Sequence, residues 1–502
     1  MKRFLYLWAM ILIGAFMLTS PLYGDEIEFD SAHIYPSGAQ VRIKAPSLGH
    51  NTIVLPGTFD ASKIQLVPSK GITLKRAQIS RQTRSDWVPP AFHVLQGLIK
   101  DKKEELISME AQLAALEQWS TVMESTTPSD LTINNMEKYL QSAEDMRRAK
   151  ETEKAILKKG IEELKQTIAD LEKELAEKMP QTDGKIIAIT YETEGEGELF
   201  VDAWTDRAWW APEYYLYLST KDHLLSGKMT GKVSQNTGIP WNGPLYLHTA
   251  QPISTVTTPE LPPLVVDYRE EELRSQAINM TMGKRITFDR TSSVFPMEET
   301  LTDQVLKAQG RVDGDNIPVN LEVAALSFPV SVTIESIPSL SPQGWIIVTT
   351  DEVQEPLLGG QASLFVDDLP SGQTFMRAVS RGEKITTAFG QTPSITTKRE
   401  DVISKGGSNW VGKGRVAKGY TITLTNGLPT TEEIVVKDRI PVSAQEKITV
   451  EVGTVDPAPT EKDQAKGLLS WKIALKPGEQ KKITVLYQIS YPADKEIWFL
   501  EH

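Results

Sequence analysis

A run of 89 residues, Ala91 to Met179, constrains this chain more than any other part of it. It holds 13 basic and 18 acidic side chains, and only Gly97, Gly160 and Pro128 interrupt it. Leu157, Ile161, Leu164, Ile168, Leu171 and Leu175 recur at alternating spacings of four and three, the seam of a helix that packs along another. Leu95, Ile99, Leu106, Met109, Leu113 and Leu116 follow the same spacing if Lys102 fills one core slot. Ser125-Thr126-Thr127-Pro128-Ser129-Asp130 breaks the pattern and offers capping residues. The economical reading is an α-helical coiled-coil hairpin over 91–180. Its arms are unequal, and the second either bends near Gly160 or splays into a further helix. The shorter arm, Ala91 to Glu124, reaches about 50 Å at about 1.5 Å per residue.

Both flanks of this run read as strands. Residues 25–90 alternate in short apolar runs broken by Pro36-Ser37-Gly38, Pro46-Ser47-Leu48-Gly49 and Pro56-Gly57, which predicts a small N-terminal β domain. From 181 to 502 three groups of strands follow: Ile186–Thr193 to Leu245–Thr249, Ser331–Glu335 to Thr396–Asp401, and Tyr420–Leu424 to Lys482–Ile489. Strand length and turn spacing there predict an antiparallel β-sandwich region rather than alternating strands and helices. Residues of about 269–320 are polar and poor in strand formers, and are expected to be a mobile insertion. The fold class is therefore mostly β with an inserted helical hairpin.

Residues 1–24 have the anatomy of a secretory signal peptide: Lys2 and Arg3, an apolar run from Phe4 to Leu18, then a short polar tail ending at Gly24. The run is short for a membrane span, and Asp25-Glu26 follow it in place of a basic stop. Cleavage there would leave a mature chain with no stable membrane span, and an uncleaved anchor is the competing reading. The whole chain carries 54 basic and 66 acidic residues and no cysteine. That balance argues against nucleic-acid binding, and the missing cysteines exclude disulfides, a thiol nucleophile, thiolate metal sites and a lipidated N-terminal cysteine.

Several segments together resemble the mucoidy inhibitor A (MuiA) family, whose N-terminal and C-terminal parts are domains of unknown function flanking a coiled coil. They are Ala32-His33-Ile34-Tyr35-Pro36-Ser37-Gly38-Ala39-Gln40-Val41-Arg42 with Ile53-Val54-Leu55-Pro56-Gly57, then Trp209-Trp210-Ala211-Pro212-Glu213-Tyr214-Tyr215-Leu216-Tyr217-Leu218. Gly231 to Gly238, Trp241, and Leu247 to Pro252 continue the second match. Pro356 to Phe365 follows, and last come Tyr420 to Asn426 and Val436 to Ser443. The resemblance implies an exported protein on the periplasmic or extracellular face of a bacterial envelope, tied to the surface polysaccharide phenotype, and implies no chemistry. Where the family has an acidic pair before the tryptophan, this chain has Ile239 and Pro240, so no carboxylate site is carried over there.

Motif by motif, the chain offers no catalytic residue, cofactor site or metal site. Its six histidines form no HExxH pair, and His33 and His248 lie in strand-like segments as ordinary sheet residues. No GxSxG elbow or SxxK pair occurs, although a triad assembled from distant loops leaves no such trace. Asp313-Gly314-Asp315-Asn316 opens like a calcium loop, but Ile317, Pro318 and Ala324 break that pattern, which leaves a polar turn. Lys405 to Gly414 is glycine-rich without the strand-to-helix context of a phosphate cradle and reads as a connection between strands.

The densest feature is aromatic: Trp204, Trp209, Trp210, Tyr214, Tyr215, Tyr217, Trp241 and Tyr246 fall within 43 residues. Such residues pack a core, or they line a groove for sugar rings or a peptide. Trp209, Trp210, Tyr214 and Trp241 are the candidate partner surface. Adjacent Trp209 and Trp210 point to opposite sides of an extended strand, so one indole should be buried and the other accessible. The chain reads as a non-enzymatic envelope interaction protein whose partner is an envelope protein or polysaccharide, engaged in part by the hairpin tip near Ser125–Asp130. The alternative is a hydrolase of envelope glycan or peptide with an unrecognised carboxylate site.

Overall fold

The computed structural model describes residues 27–125, 133–250, 297–299, 303–403, 413–443, 445–495 and 497. The segment read as a signal peptide, the expected hairpin tip near Ser125–Asp130 except Ser125 itself, and most of the glycine-rich 405–414 stretch lie outside them. Before the helices come β1 (Glu28–Ile34), β2 (Ala39–Ala45), β3 (Gly49–Pro56), β4 (Gln65–Pro68) and β5 (Ile72–Thr83). The helices are α1 (His93–Ser125) and α2 (Ile133–Lys178). Then follow β6 (Lys185–Gly195), β7 (Leu199–Thr205), β8 (Ala208–Ser219), β9 (Leu224–Gln235) and β10 (Trp241–His248). The middle strands are β11 (Met297–Glu299), β12 (Gln304–Val312), β13 (Val319–Ser336), β14 (Gln343–Glu352), β15 (Gly360–Val366) and β16 (Leu369–Met376). The last are β17 (Lys384–Ile403), β18 (Lys413–Asn426), β19 (Glu432–Arg439), β20 (Thr449–Asp456), β21 (Glu461–Asp463), β22 (Leu468–Leu475) and β23 (Gln480–Pro492).

The chain divides into two compact units, Met1–Trp210 with Val233–Ser254 and Lys307–Leu321, and Ala211–Lys232 with Thr255–Leu306 and Glu322–His502. In the first unit the strands of 25–90 do not form a sheet of their own. β1 pairs in parallel with β10 (Ala32↔Leu245) and β2 pairs with β7 (Val41↔Ala203), while β3 and β5 flank β6. The boundaries expected at residues 90 and 180 therefore do not separate two β domains. β6 explains why: Ile186, Ile187, Ala188 and Ile189 are all buried, the continuous apolar run of a central strand that needs a neighbour on each edge.

The helices leave and re-enter this unit between β5 and β6, whose ladder closes at Thr83↔Lys185. α1 and α2 run antiparallel, as the ion pairs Lys103–Glu172 (2.6 Å), Lys165–Glu110 (3.0 Å) and Lys158–Glu117 (3.3 Å) show. Ile99, Ile161, Leu164 and Ile168 are buried on the seam, and α2 continues unbroken through Gly160.

The base of the helices meets a buried polar junction built from the Gln235–Ile239 loop. The Gln235 amide donates to the carbonyls of Ile239 (2.8 Å) and Val312 (3.1 Å), and its oxygen accepts from the Thr237 backbone N–H (2.8 Å) and hydroxyl (2.6 Å). The Thr58 hydroxyl donates to the Thr237 carbonyl, and the Ala91 N–H donates to that of Gly238. Gly238 has φ +79°, and a Cβ there would lie 2.6 Å from Pro89 Cβ, so the close approach requires glycine.

Part of the segment expected to be an insertion is instead regular sheet. β12 buries Val305, Leu306, Ala308 and Val312, and the Asn316 N–H donates to the Gln235 carbonyl, which makes Asp313–Asn316 a turn of the junction. The remainder, to residue 302, lies outside the described residues except β11. In the second unit Ile422, Leu424, Val436, Trp471, Ile473 and Val485 share one core, drawn from β18, β19, β22 and β23. The region is not purely antiparallel: β8 runs parallel to β15 and β13 to β19, pairings that long intervening chain permits. The molecule is mostly β, in several sheets, with two long helices.

Candidate functional site

Of the four residues proposed as a partner surface, three are core. Trp210 is 5% exposed, and its indole N–H donates to the His248 carbonyl at 2.8 Å. Trp241 is fully buried and stacks on Phe29 with ring centroids 6.2 Å apart. Tyr214 is buried, its hydroxyl donates to the Leu358 carbonyl at 2.7 Å, and burial pushes its phenol far above the usual range. Each satisfies its polar tip or its ring face internally, which removes it from a partner surface. Trp209, at 38% exposure, is the accessible one.

The structure assembles a different aromatic surface in the first unit, on the sheet where β10, β1, β2 and β7 are neighbours. Alternation sends Ala32, Ile34, Val41, Val201, Ala203, Leu245 and Leu247 to the buried face. The other face carries a column of rings. His33 stacks on Tyr246 (4.7 Å), and His33 Nδ1 lies 2.8 Å from His248 Nε2. His248 stacks in turn on Tyr35 (4.3 Å), and Tyr35 tilts against Trp204 (5.5 Å). Lys63 Nζ sits 5.2 Å above the Trp204 ring. His33, Tyr35, Trp204 and Tyr246 are half-buried, and His248 between them is buried.

Electrostatics brace this face. Arg42 and Asp202 form a two-pronged pair, both contacts 2.7 Å, and the guanidinium lies over Phe200. The hydrogen bonds it donates to Asp202 hold the Arg42 guanidinium above its ordinary value. Of the two imidazoles, one donates and the other accepts, and two fully protonated rings would oppose N–H to N–H. Sequence reading placed His33 and His248 in strands but did not join them. The available signal is the matched period of two, His33/Tyr35 on β1 and Tyr246/His248 on β10.

A second polar cluster lies in the other unit. Arg399 lies over the Tyr420 ring at 4.1 Å and pairs with Asp438 (3.1 Å), which also accepts the Arg439 N–H at 2.7 Å. Burial pushes the Asp438 carboxyl up, against the pull of Arg399. Asp438 lines a cavity of about 550 Å³ together with Glu461, Asp463, Leu340 and Leu468. Among the described residues no group of three or more His, Cys, Asp or Glu is placed to hold a metal ion, and no helix is long and apolar enough to cross a membrane.

Fold and site define a strand-dominated protein of two units, with a helical pair inserted between adjacent strands and an aromatic, imidazole-bearing sheet face. A family model described as a domain of unknown function (DUF4139) matches residues 199–493, more than half of the chain, and the chain belongs to that family. It is also similar to "Protein F37C4.5" of Caenorhabditis elegans, 20% identical over 356 residues that cover 63% of this chain and 64% of the relative. The chain thus spans less than two thirds of that relative's length.

Proposed function

We propose that this is an exported, non-enzymatic interaction protein of the mucoidy inhibitor A type, which binds envelope polysaccharide. Its helices act as a coiled-coil hairpin and its strands as sandwich-like rigid supports. The observation that carries the reading is the ring column in which the half-buried Tyr246, His33, Tyr35 and Trp204 are joined through the buried His248. Half-buried aromatic rings suit stacking on the sugar rings of such a polymer. Affinity electrophoresis of the purified protein in gels containing the producing cell's surface polysaccharide tests it. Retardation should fall at least about tenfold for Tyr246→Ala while the fold is kept, and equal retardation of variant and parent refutes the reading. N-terminal sequencing of the protein from the envelope fraction tests export, with a start close to Asp25 expected.

The hydrolase reading draws its support from Asp438, Glu461 and Asp463 around one cavity. Release of reducing ends or free amines from isolated envelope, abolished in Asp438→Asn, would favour it over binding alone.

A further inference from the structure

The chain contains two Asn-Gly dipeptides, Asn242-Gly243 and Asn426-Gly427. In such a pair the glycine nitrogen, with no Cβ beside it, can attack the side-chain carbonyl carbon of the asparagine. The bond from that carbon to the amide nitrogen breaks, ammonia leaves, and a five-membered succinimide closes. Water then opens the ring, partly to aspartate and mostly to isoaspartate, in which the chain runs on through the former side chain. Water is the sole co-reactant. The reaction requires an asparagine side chain that is free to turn over its own following nitrogen.

The fold treats the two sites oppositely. Asn426 is fully buried, and its amide nitrogen is held by the carbonyls of Thr430 (2.9 Å), Leu475 (2.9 Å) and Lys476 (3.3 Å). Its amide oxygen accepts the Leu428 N–H at 2.9 Å. Asn242, the second residue of β10, is exposed, and among the described residues its side chain makes no hydrogen bond. β10 joins β1 only from Leu245, opposite Ala32, so Asn242, Gly243 and Pro244 precede that ladder. Gly243 has φ +157°, and a Cβ built there would find its nearest neighbour 3.4 Å away, so the flank of the attacking nitrogen is not crowded.

We infer that Asn242 is a self-modification site of the folded protein, losing its amide through Gly243 while Asn426 is preserved, and that the isoaspartyl product strains the entry to β10. Isoaspartate lengthens the backbone between Trp241 and Leu245, which are both fully buried. The two anchors cannot both keep their places, and the strand they bound carries Tyr246 and His248. The inference is independent of what the protein binds.

The test is incubation of the purified full chain in mildly alkaline buffer, native and in guanidinium chloride. Peptide mass spectrometry reads amide loss at each site, and enzymatic carboxyl methylation reads isoaspartate. In denaturant the two asparagines should react at similar rates. In the native protein Asn242 should stay within about tenfold of its denatured rate, whereas Asn426 should fall at least about a hundredfold below its own, because its segment must first open. Aged native protein should melt at a lower temperature than Asn242→Asp, which gains the same charge without the longer backbone. A native Asn242 amide that lasts as long as that of Asn426, a difference between the sites that survives in denaturant, or equal melting of aged protein and Asn242→Asp would each overturn the proposal.

Discussion

Trp209 and Trp210 are neighbours on one strand with opposite surroundings, and the pair separates folding from binding. Trp210→Ala removes a buried indole and leaves the His248 carbonyl without its donor, and should cost about 3–5 kcal/mol in chemical denaturation. Trp209→Ala should change stability by less than about 1 kcal/mol. Equal losses would show that both are core. Tyr191 makes a pH prediction. It is 1% exposed, its hydroxyl donates to the Pro46 carbonyl at 2.8 Å, and burial raises its phenol to about 12. The folded state then holds a proton that the unfolded chain gives up near pH 10, so this stabilisation is complete below about pH 10 and is lost as pH rises towards 12. Stability should fall with a slope of up to about 1.4 kcal/mol per pH unit from this residue. Tyr191→Phe should flatten that slope and leave the early part of the native protein's tyrosinate titration unchanged. An unchanged slope would show that the ring is not sealed in the fold.

At the scale of elements, the helical seam and most strands are legible because each depends on local periodicity. The half-buried positions of α1, from Leu95 to Leu116, include Lys102 in the slot its spacing assigns. What periodicity cannot carry is pairing between distant strands. Nothing local to His33 announces that His248 will stand beside it, because the contact follows from the parallel register Ala32↔Leu245. β17 is longer than its sequence suggests for a related reason. The sequence predicts a strand only over Thr396–Asp401, yet β17 begins at Lys384 and passes through Gly390 and Pro393 with register shifts opposite β14. The candidate site was legible as an aromatic concentration and not as a surface, because burial of Tyr214 and Trp241 depends on which strands cover them. The Gln235 junction is likewise invisible until β12 arrives. Gln235→Ala would leave the Ile239 and Val312 carbonyls without this buried donor, and should cost about 2–4 kcal/mol and loosen the helix base. Protease susceptibility near Pro89 and Pro180 measures the loosening, and unchanged cleavage would sink the clamp role.

Whole-molecule organisation follows from where the helices are inserted. β5 and β6 are consecutive partners of one antiparallel ladder, so the helical pair occupies the place of a hairpin loop, and its antiparallel return delivers the chain back to Lys185 opposite Thr83. Closing a long loop costs little more than closing a short one, about 0.6 kcal/mol per doubling, and a helical pair fixes its own ends together. The β framework of the first unit should therefore tolerate loss of the projecting helices. The stumps must reach past Pro89, Ala91 and Pro180, which contact or hydrogen-bond Gly238. Replacing residues 104–171 with a short glycine–asparagine turn, so that both helices end at the Lys103–Glu172 pair, should leave strand content and a cooperative melt intact. Residues 27–90 alone should behave oppositely. β1 and β2 would lack β10 and β7, and β3 and β5 would lack the central β6, leaving unpaired edges and exposed apolar faces. That fragment should be unfolded or aggregated by circular dichroism and light scattering. A folded, monomeric fragment would restore the boundary at residue 90, and a helix-deleted chain that fails to fold would make α1 and α2 part of the framework they interrupt.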